Sequence, residues 1–161
     1  ADLRAAADDG VVMLAICGAY QLLGHEFVTY QGTRIAGVGV LDVVTNGSDT
    51  RLIGNHAVDS DWGRLVGYEN HSGLTTLGGE ATPLARTVPG RGNDGKDSTE
   101  GCVQGNVFGT YLHGPVLAKS PRFADELLRR ALVRRGDSSE LAPLDDALAL
   151  QAAEVAAKRP R

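Results

Sequence analysis

Six consecutive apolar residues, Val11-Val12-Met13-Leu14-Ala15-Ile16, run directly into Cys17-Gly18-Ala19. A strand that is apolar at successive positions has no solvent face. It must be covered on both sides, as in the middle of a parallel sheet flanked by helices. Cys17-Gly18-Ala19 leaves no room for a long loop, and Tyr20-Gln21-Leu22-Leu23-Gly24 reads as a short helix. The unit is therefore strand, sharp turn, helix. It forces a layered α/β arrangement on whatever surrounds it.

The flanking segments fit that arrangement. Leu3–Asp9 reads as the end of a helix stopped by Asp9-Gly10. Gly37–Thr45, Arg51–Val58 and Leu65–His71 read as strands, separated by turn signals at Asn46-Gly47-Ser48-Asp49 and Asp59–Gly63. Val88–Thr99 is polar and glycine-rich, and is expected to be the mobile loop. Gly101–Leu112 holds two short strand-like pieces. A helix is expected from Ser120 as N-cap and Pro121 at the first position, with Phe123, Leu127 and Ala131 on one face and Gly136 as the stop. A last helix spans Leu144–Lys158, followed by a basic tail expected to fray.

Composition narrows the classes of function. The 161 residues suit one domain, 1–161, and the formal net charge of −4 offers no global basic field for nucleic acid or an anionic membrane. The apolar run is far shorter than the ~20 residues of a membrane span, and no secretory leader opens the chain, so a cytoplasmic setting is expected. Cys17 and Cys102 are too few for a disulfide framework and stand in no metal-ligand spacing, so no metal is expected. No Gly-x-x-x-x-Gly-Lys-Ser/Thr loop is present for a nucleotide.

The chemistry concentrates at the turn. A thiol on a tight elbow at the end of a strand is lifted out of the sheet, and the helix N-terminus behind it should favour thiolate. Gly18 leaves its backbone N–H free to face an oxyanion. From the elbow alone, Cys17 reads equally as a small core residue. A thiol nucleophile needs a base, and the histidines are His25, His56, His71 and His113. His113 ends Gly109-Thr110-Tyr111-Leu112 and precedes Gly114-Pro115, which places it in a loop at a sheet edge. His71, within Glu69-Asn70-His71, is its rival, and His25 and His56 have no supporting context.

These residues carry a resemblance. Cys17-Gly18-Ala19-Tyr20-Gln21 is similar to the nucleophile elbow of class I glutamine amidotransferases, with Ala19 where a second glycine is usual. Gly67-Tyr68-Glu69-Asn70-His71 and Gly105–Pro115 resemble the cobyric-acid-synthase-like branch, and most closely its GatD-like members, the glutaminase subunits of lipid II isoglutaminyl synthases. The resemblance implies an α/β, flavodoxin-like fold, a mostly parallel sheet with flanking helices. It also implies that strands which normally precede the elbow, with a glycine loop supplying a second oxyanion donor, are missing from this chain.

The resemblance further implies roles. Cys17 would attack the glutamine side-chain amide, His113 would act as base and acid, and Gly18 N–H would serve the oxyanion. Gln21 would help position the substrate, and Arg51 would hold the glutamine carboxylate, as a two-pronged guanidinium can. Glu69, Asn70 and His71 would lie near the site without a specified role. Gly114-Pro115 follows the histidine where many class I enzymes have Pro-Glu, so a Cys–His dyad is expected, or a carboxylate from elsewhere in the fold. The implied partner is a MurT-like ATP-dependent ligase that amidates D-glutamate of lipid II. This subunit would bind glutamine without a cofactor and meet the inner membrane face only through that partner. A corrin-amidating domain and a non-catalytic module of the same fold are the alternatives.

Overall fold

The computed structural model describes residues 2–88 and 91–159. Helix α1 (Asp2–Asp8) leads into strand β1 (Met13–Ile16) and the short helix α2 (Gly18–Leu23). Strands β2 (Glu26–Val28), β3 (Arg34–Ala36), β4 (Val43–Ser60), β5 (Gly63–Leu77), β6 (Ala85–Arg86), β7 (Thr99–Glu100), β8 (Cys102–Gln104) and β9 (Val107–Thr110) follow. A single 3-10 turn, Leu117–Lys119, precedes α3 (Pro121–Arg135) and α4 (Ala147–Ala157).

The fold is α/β, with mixed sheets. One sheet has the order β1-β9-β8, and the other runs β3-β2-β4-β6-β7 with β5 on β4. Parallel pairing joins β1 to β9 and β2 to β4, while the remaining pairs are antiparallel. The apolar run is thus the end strand of its sheet. Among the described residues β9 alone pairs with it, in the register Ile16↔Thr110, which corrects the expectation of a strand in the middle of a parallel sheet.

Two clusters form the core. Ala15, Tyr20, Leu23, Leu41, Val43, Val107 and Tyr111 pack around α2 and the inner side of β9. Phe108, Phe123, Leu112, Leu127, Val58 and Leu65 pack on the other side. Trp62, at the tip of the β4–β5 hairpin, stacks its ring 5.1 Å from Phe123 and 5.9 Å from Phe108. Helix α3 begins with Pro121 and ends at Gly136 in the left-handed region (φ 81°), where the N–H groups of Gly136 and Asp137 close on Val133 and Leu132. Ser120 occupies the N-cap position, but its buried hydroxyl makes no capping bond.

Several local expectations change. The Gly37–Leu41 half of the expected strand is not extended pairing. The N–H groups of Val38, Val40 and Leu41 donate to the carbonyls of Leu22 and Leu23. These residues satisfy the C-terminal end of α2, which a six-residue helix cannot do for itself. The turn signals at Asn46–Asp49 mark a bulge, for β4 runs through them. Gly47 pairs with Gly73 and Leu52 with His71, so Ser48, Asp49, Thr50 and Arg51 stand opposite Ser72 alone. Strand β5 is also longer than Leu65–His71, and α4 starts at Ala147, three residues later than read from the sequence.

The expected mobile loop is tied down where it is described. Asn93 is fully buried, accepts the Tyr20 hydroxyl at 3.2 Å, and donates to Thr99 Oγ1 and the Gly101 carbonyl at 3.0 and 2.8 Å. Pro89, Gly90 and the tail beyond Arg159 lie outside the described residues.

Gly109 shows how closely α2 is drawn onto β9. A methyl group there would run into the Tyr20 ring, which is itself fully buried. Gly109→Ala should therefore destabilise the fold by about 1–3 kcal/mol, the range for overpacking a core, read from the shift of the urea midpoint at unchanged slope.

Candidate active site

The parallel pairing of β1 and β9 brings two loops to the same sheet end. Cys17 follows β1, and its N–H donates to the Thr110 carbonyl at 2.9 Å. His113 follows β9 by three residues, and its N–H donates to the Tyr68 carbonyl at 2.8 Å. Strand β5 passes beneath both. Gly67 is needed there because a Cβ would lie 2.9 Å from the His113 carbonyl oxygen.

Cys17 adopts φ 54°, ψ −111°, outside the regions open to most side chains. Such a conformation costs on the order of 1–3 kcal/mol and persists only when its surroundings enforce it. Here the β9 ladder holds one side and α2 begins on the other. The Sγ–H points to the Asn70 carbonyl at 3.9 Å, and the Gly18 N–H lies against the sulfur.

Burial pushes the Cys17 thiol above its ordinary value, outweighing the Gly18 N–H and the Arg51 charge that pull it down. This corrects the expectation that the helix terminus favours thiolate. Helix α2 is too short and the sulfur too shielded for that effect to win. His113 moves the opposite way. Burial lowers its pKa, and the neighbouring His71 adds to the effect. The buried His113 Nε2 has no hydrogen-bond partner among the described residues. The pair available at neutral pH is a thiol and a neutral imidazole, the forms a general-base step needs.

The other sequence-selected residues sit on α2, β4 and β5, the elements that flank these two loops. Arg51 projects from the β4 bulge, is exposed, and donates from Nε to Asn70 Oδ1 at 2.6 Å. Its charge is felt at Cys17. Gln21 Nε2 donates to the Tyr111 hydroxyl at 3.2 Å, and that hydroxyl also bonds Thr75 Oγ1 at 2.6 Å. His71 stacks on the Tyr111 ring with centroids 3.5 Å apart, and its Nδ1 bonds the Gly73 carbonyl at 2.8 Å.

Behind the stack lies a buried polar network that sequence reading missed in part. Glu69 is fully buried. Its Oε2 lies 3.2 Å from His56 Nδ1 and 3.8 Å from His71 Nε2, and it accepts the Gly92 N–H at 3.2 Å. Burial raises the Glu69 pKa, but the two histidines and that N–H overcome it and hold the carboxyl well below its usual range. His56 also bonds Thr87 Oγ1. The signal for His56 was the period-2 alternation Gly54, His56, Val58, which puts all three on the buried face of β4. Glu100 had no such signal. It is fully buried, accepts the Tyr111 N–H at 2.7 Å and the Thr110 hydroxyl at 2.9 Å, and is pushed up to about 7 by burial. No cluster of three metal-ligating side chains exists among the described residues.

The residues matched to the CobB/CobQ-like glutamine amidotransferase domain are 1–121, three quarters of the chain and the whole of this site. The chain belongs to that family. It is 40% identical over 154 residues to the lipid II isoglutaminyl synthase (glutamine-hydrolyzing) subunit GatD of Staphylococcus aureus, covering 95% of this chain and 63% of that protein. The GatD subunit of Streptococcus pneumoniae is 41% identical over 152 residues, covering 91% and 58%. A cobyric acid synthase of Sphingopyxis alaskensis is 34% identical over 161 residues, covering 96% and 32%. The chain thus spans about three fifths of the length of the GatD relatives it matches. A solved glutamine amidotransferase shares the fold at TM-score 0.58 and 20% identity, covering 80% of this chain and 66% of its own. Among the described residues no helix is long and apolar enough to cross a membrane.

Two measurements follow from the electrostatics. Cys102 is fully buried and pushed up to about 12 by burial, whereas Cys17 is partly exposed, so a small alkylating reagent should label Cys17 well ahead of Cys102 by mass spectrometry. Glu100 titrates at about 7 folded against an ordinary 4.5, so the folded state holds its proton more tightly. Its contribution is therefore most favourable below pH 4.5 and is lost as pH rises to 7, a change on the order of a few kcal/mol. Urea titrations of Glu100→Gln and the wild type should diverge across that window, the variant gaining relative stability toward pH 8.

Proposed function

We propose that this chain is the glutamine-hydrolysing subunit of a lipid II isoglutaminyl synthase. The observation that carries the reading is the strained Cys17 elbow, set at the same sheet end as the His113 loop, with the exposed Arg51 guanidinium, held by Asn70, nearby. The sequence likeness to GatD subunits along nearly the whole chain supports the acceptor assignment.

In this reading Arg51 takes the α-carboxylate of glutamine, and the side-chain amide lies over the elbow. His113 Nε2 removes the Sγ proton as the sulfur attacks the amide carbon. The Gly18 N–H faces the developing oxyanion. His113 then delivers the proton to the departing nitrogen, the C–N bond breaks, and ammonia leaves a glutamyl thioester. Water, deprotonated by the same imidazole, adds to the thioester. Glutamate departs and the thiol is restored, so one water is consumed for each ammonia released. The ammonia serves a MurT-like ligase subunit, which spends ATP to activate the α-carboxyl of D-glutamate in lipid II and forms D-isoglutamine. No cofactor is required in this subunit. The corrin alternative is the weaker reading, because the cobyric acid synthase likeness is lower in identity and covers a third of that protein.

Assayed by ammonia release with the partner ligase present, Cys17→Ala should abolish turnover. His113→Ala should lower kcat about a hundredfold to ten-thousandfold. Arg51→Ala should chiefly raise the glutamine KM. The acid limb of kcat/KM should lie below pH 6.5, because His113 is shifted down from that value. An intact Cys17→Ala activity would end the proposal.

A further inference from the structure

We propose that Asn70 is a positioning residue that aims Arg51 at the substrate carboxylate; this rests on the glutaminase reading above. Arg51 leaves the chain from a bulge, where Ser48–Arg51 lack ladder partners, and its side chain is exposed. Left to itself, an exposed arginine keeps its rotamer freedom and presents no fixed edge. Asn70 removes that freedom. It sits within the regular part of the β4–β5 ladder, paired with Ile53, and its Oδ1 accepts the Arg51 Nε–H at 2.6 Å. With Nε engaged, the two Nη groups are the edge that remains, and no ion pair among the described residues occupies it.

The same residue touches the nucleophile. The Asn70 carbonyl receives the Cys17 Sγ–H, so a single residue of β5 references both ends of a substrate that carries a carboxylate at one end and an amide at the other. The neutral amide suits the task. A carboxylate at position 70 would accept the same hydrogen bond but would neutralise the guanidinium and compete with the ligand.

The test compares two alkylators of Cys17 on the full chain. The chloroketone analogue of glutamine bears the α-carboxylate, whereas iodoacetamide does not. In each case sulfur displaces the halide and the thiol proton passes to base. Asn70→Ala should slow the chloroketone about tenfold, the worth of one hydrogen bond to a charged group, through a raised half-saturation concentration at unchanged limiting rate. Iodoacetamide should react within about twofold of wild type on the same one-bond scale, which also reports an intact elbow. In an Arg51→Ala background, Asn70→Ala should add nothing, because it acts through that arginine. Asn70→Asp, the same shape with a charge, should also slow the chloroketone and serves if the alanine variant does not fold. An unchanged chloroketone rate, equal slowing of both reagents, or full additivity with Arg51→Ala would overturn the proposal. A wild-type Cys17 with no preference for the chloroketone would instead overturn the glutaminase reading, and this proposal with it.

Discussion

The parallel contact between β1 and β9 is the constraint on which the site depends. These two four-residue strands lie side by side in the register Met13↔Val107 to Ile16↔Thr110. Parallel strands end on the same side, so the residues that follow them, Cys17 and the loop to His113, emerge together. In an antiparallel pair they would be a strand length apart. The bond from the Cys17 N–H to the Thr110 carbonyl extends the ladder one step beyond the strand and holds the elbow in its unfavourable conformation. Thr110 and Tyr111 are anchored in turn from behind, by the Glu100 carboxyl.

The long β4–β5 hairpin supplies what this pair lacks. Its inner face carries His56, Glu69, His71 and Thr75 in alternation, all buried, and its edge carries Arg51 and Asn70. The polar face is viable in the core because its groups find partners. Thr45 bonds Thr75, Thr75 bonds Tyr111, and Glu69 faces two histidines. His71 also braces the Tyr111 ring, and Tyr111 receives Gln21. Contacts thus run without a break from the back of the hairpin to Gln21 on α2.

Much of this was legible in the residues, and the reasons for success and failure are physical. The elbow was readable because an apolar strand, a thiol and a glycine in direct succession have few alternatives. Helix α3 was readable because Pro121 and Gly136 mark its ends in ways other residues do not. The Gly37–Leu41 segment misled because β-branched residues alternating with glycine suit an extended strand, whereas here they close the end of α2. Asn46–Asp49 misled because turn chemistry also serves a bulge. Glu100 was invisible because one acid among many carries no mark of burial, and its partner is a backbone N–H set by long-range pairing. The electrostatics of Cys17 were misjudged because desolvation depends on tertiary cover, which a local motif does not encode.

The bulge has a practical consequence for anyone engineering this chain. Asn46-Gly47-Ser48-Asp49 has the composition of a permissive surface loop, the usual choice for an epitope tag or a new terminus. Yet the strand resumes its register at Leu52 and keeps His56 and Val58 inward from there. Lengthening the segment by one residue would either be absorbed within the bulge, redirecting Arg51, or slip the far half of β4 and turn its interior outward. What looks like slack in the chain is a measured spacer, and insertions are better made elsewhere.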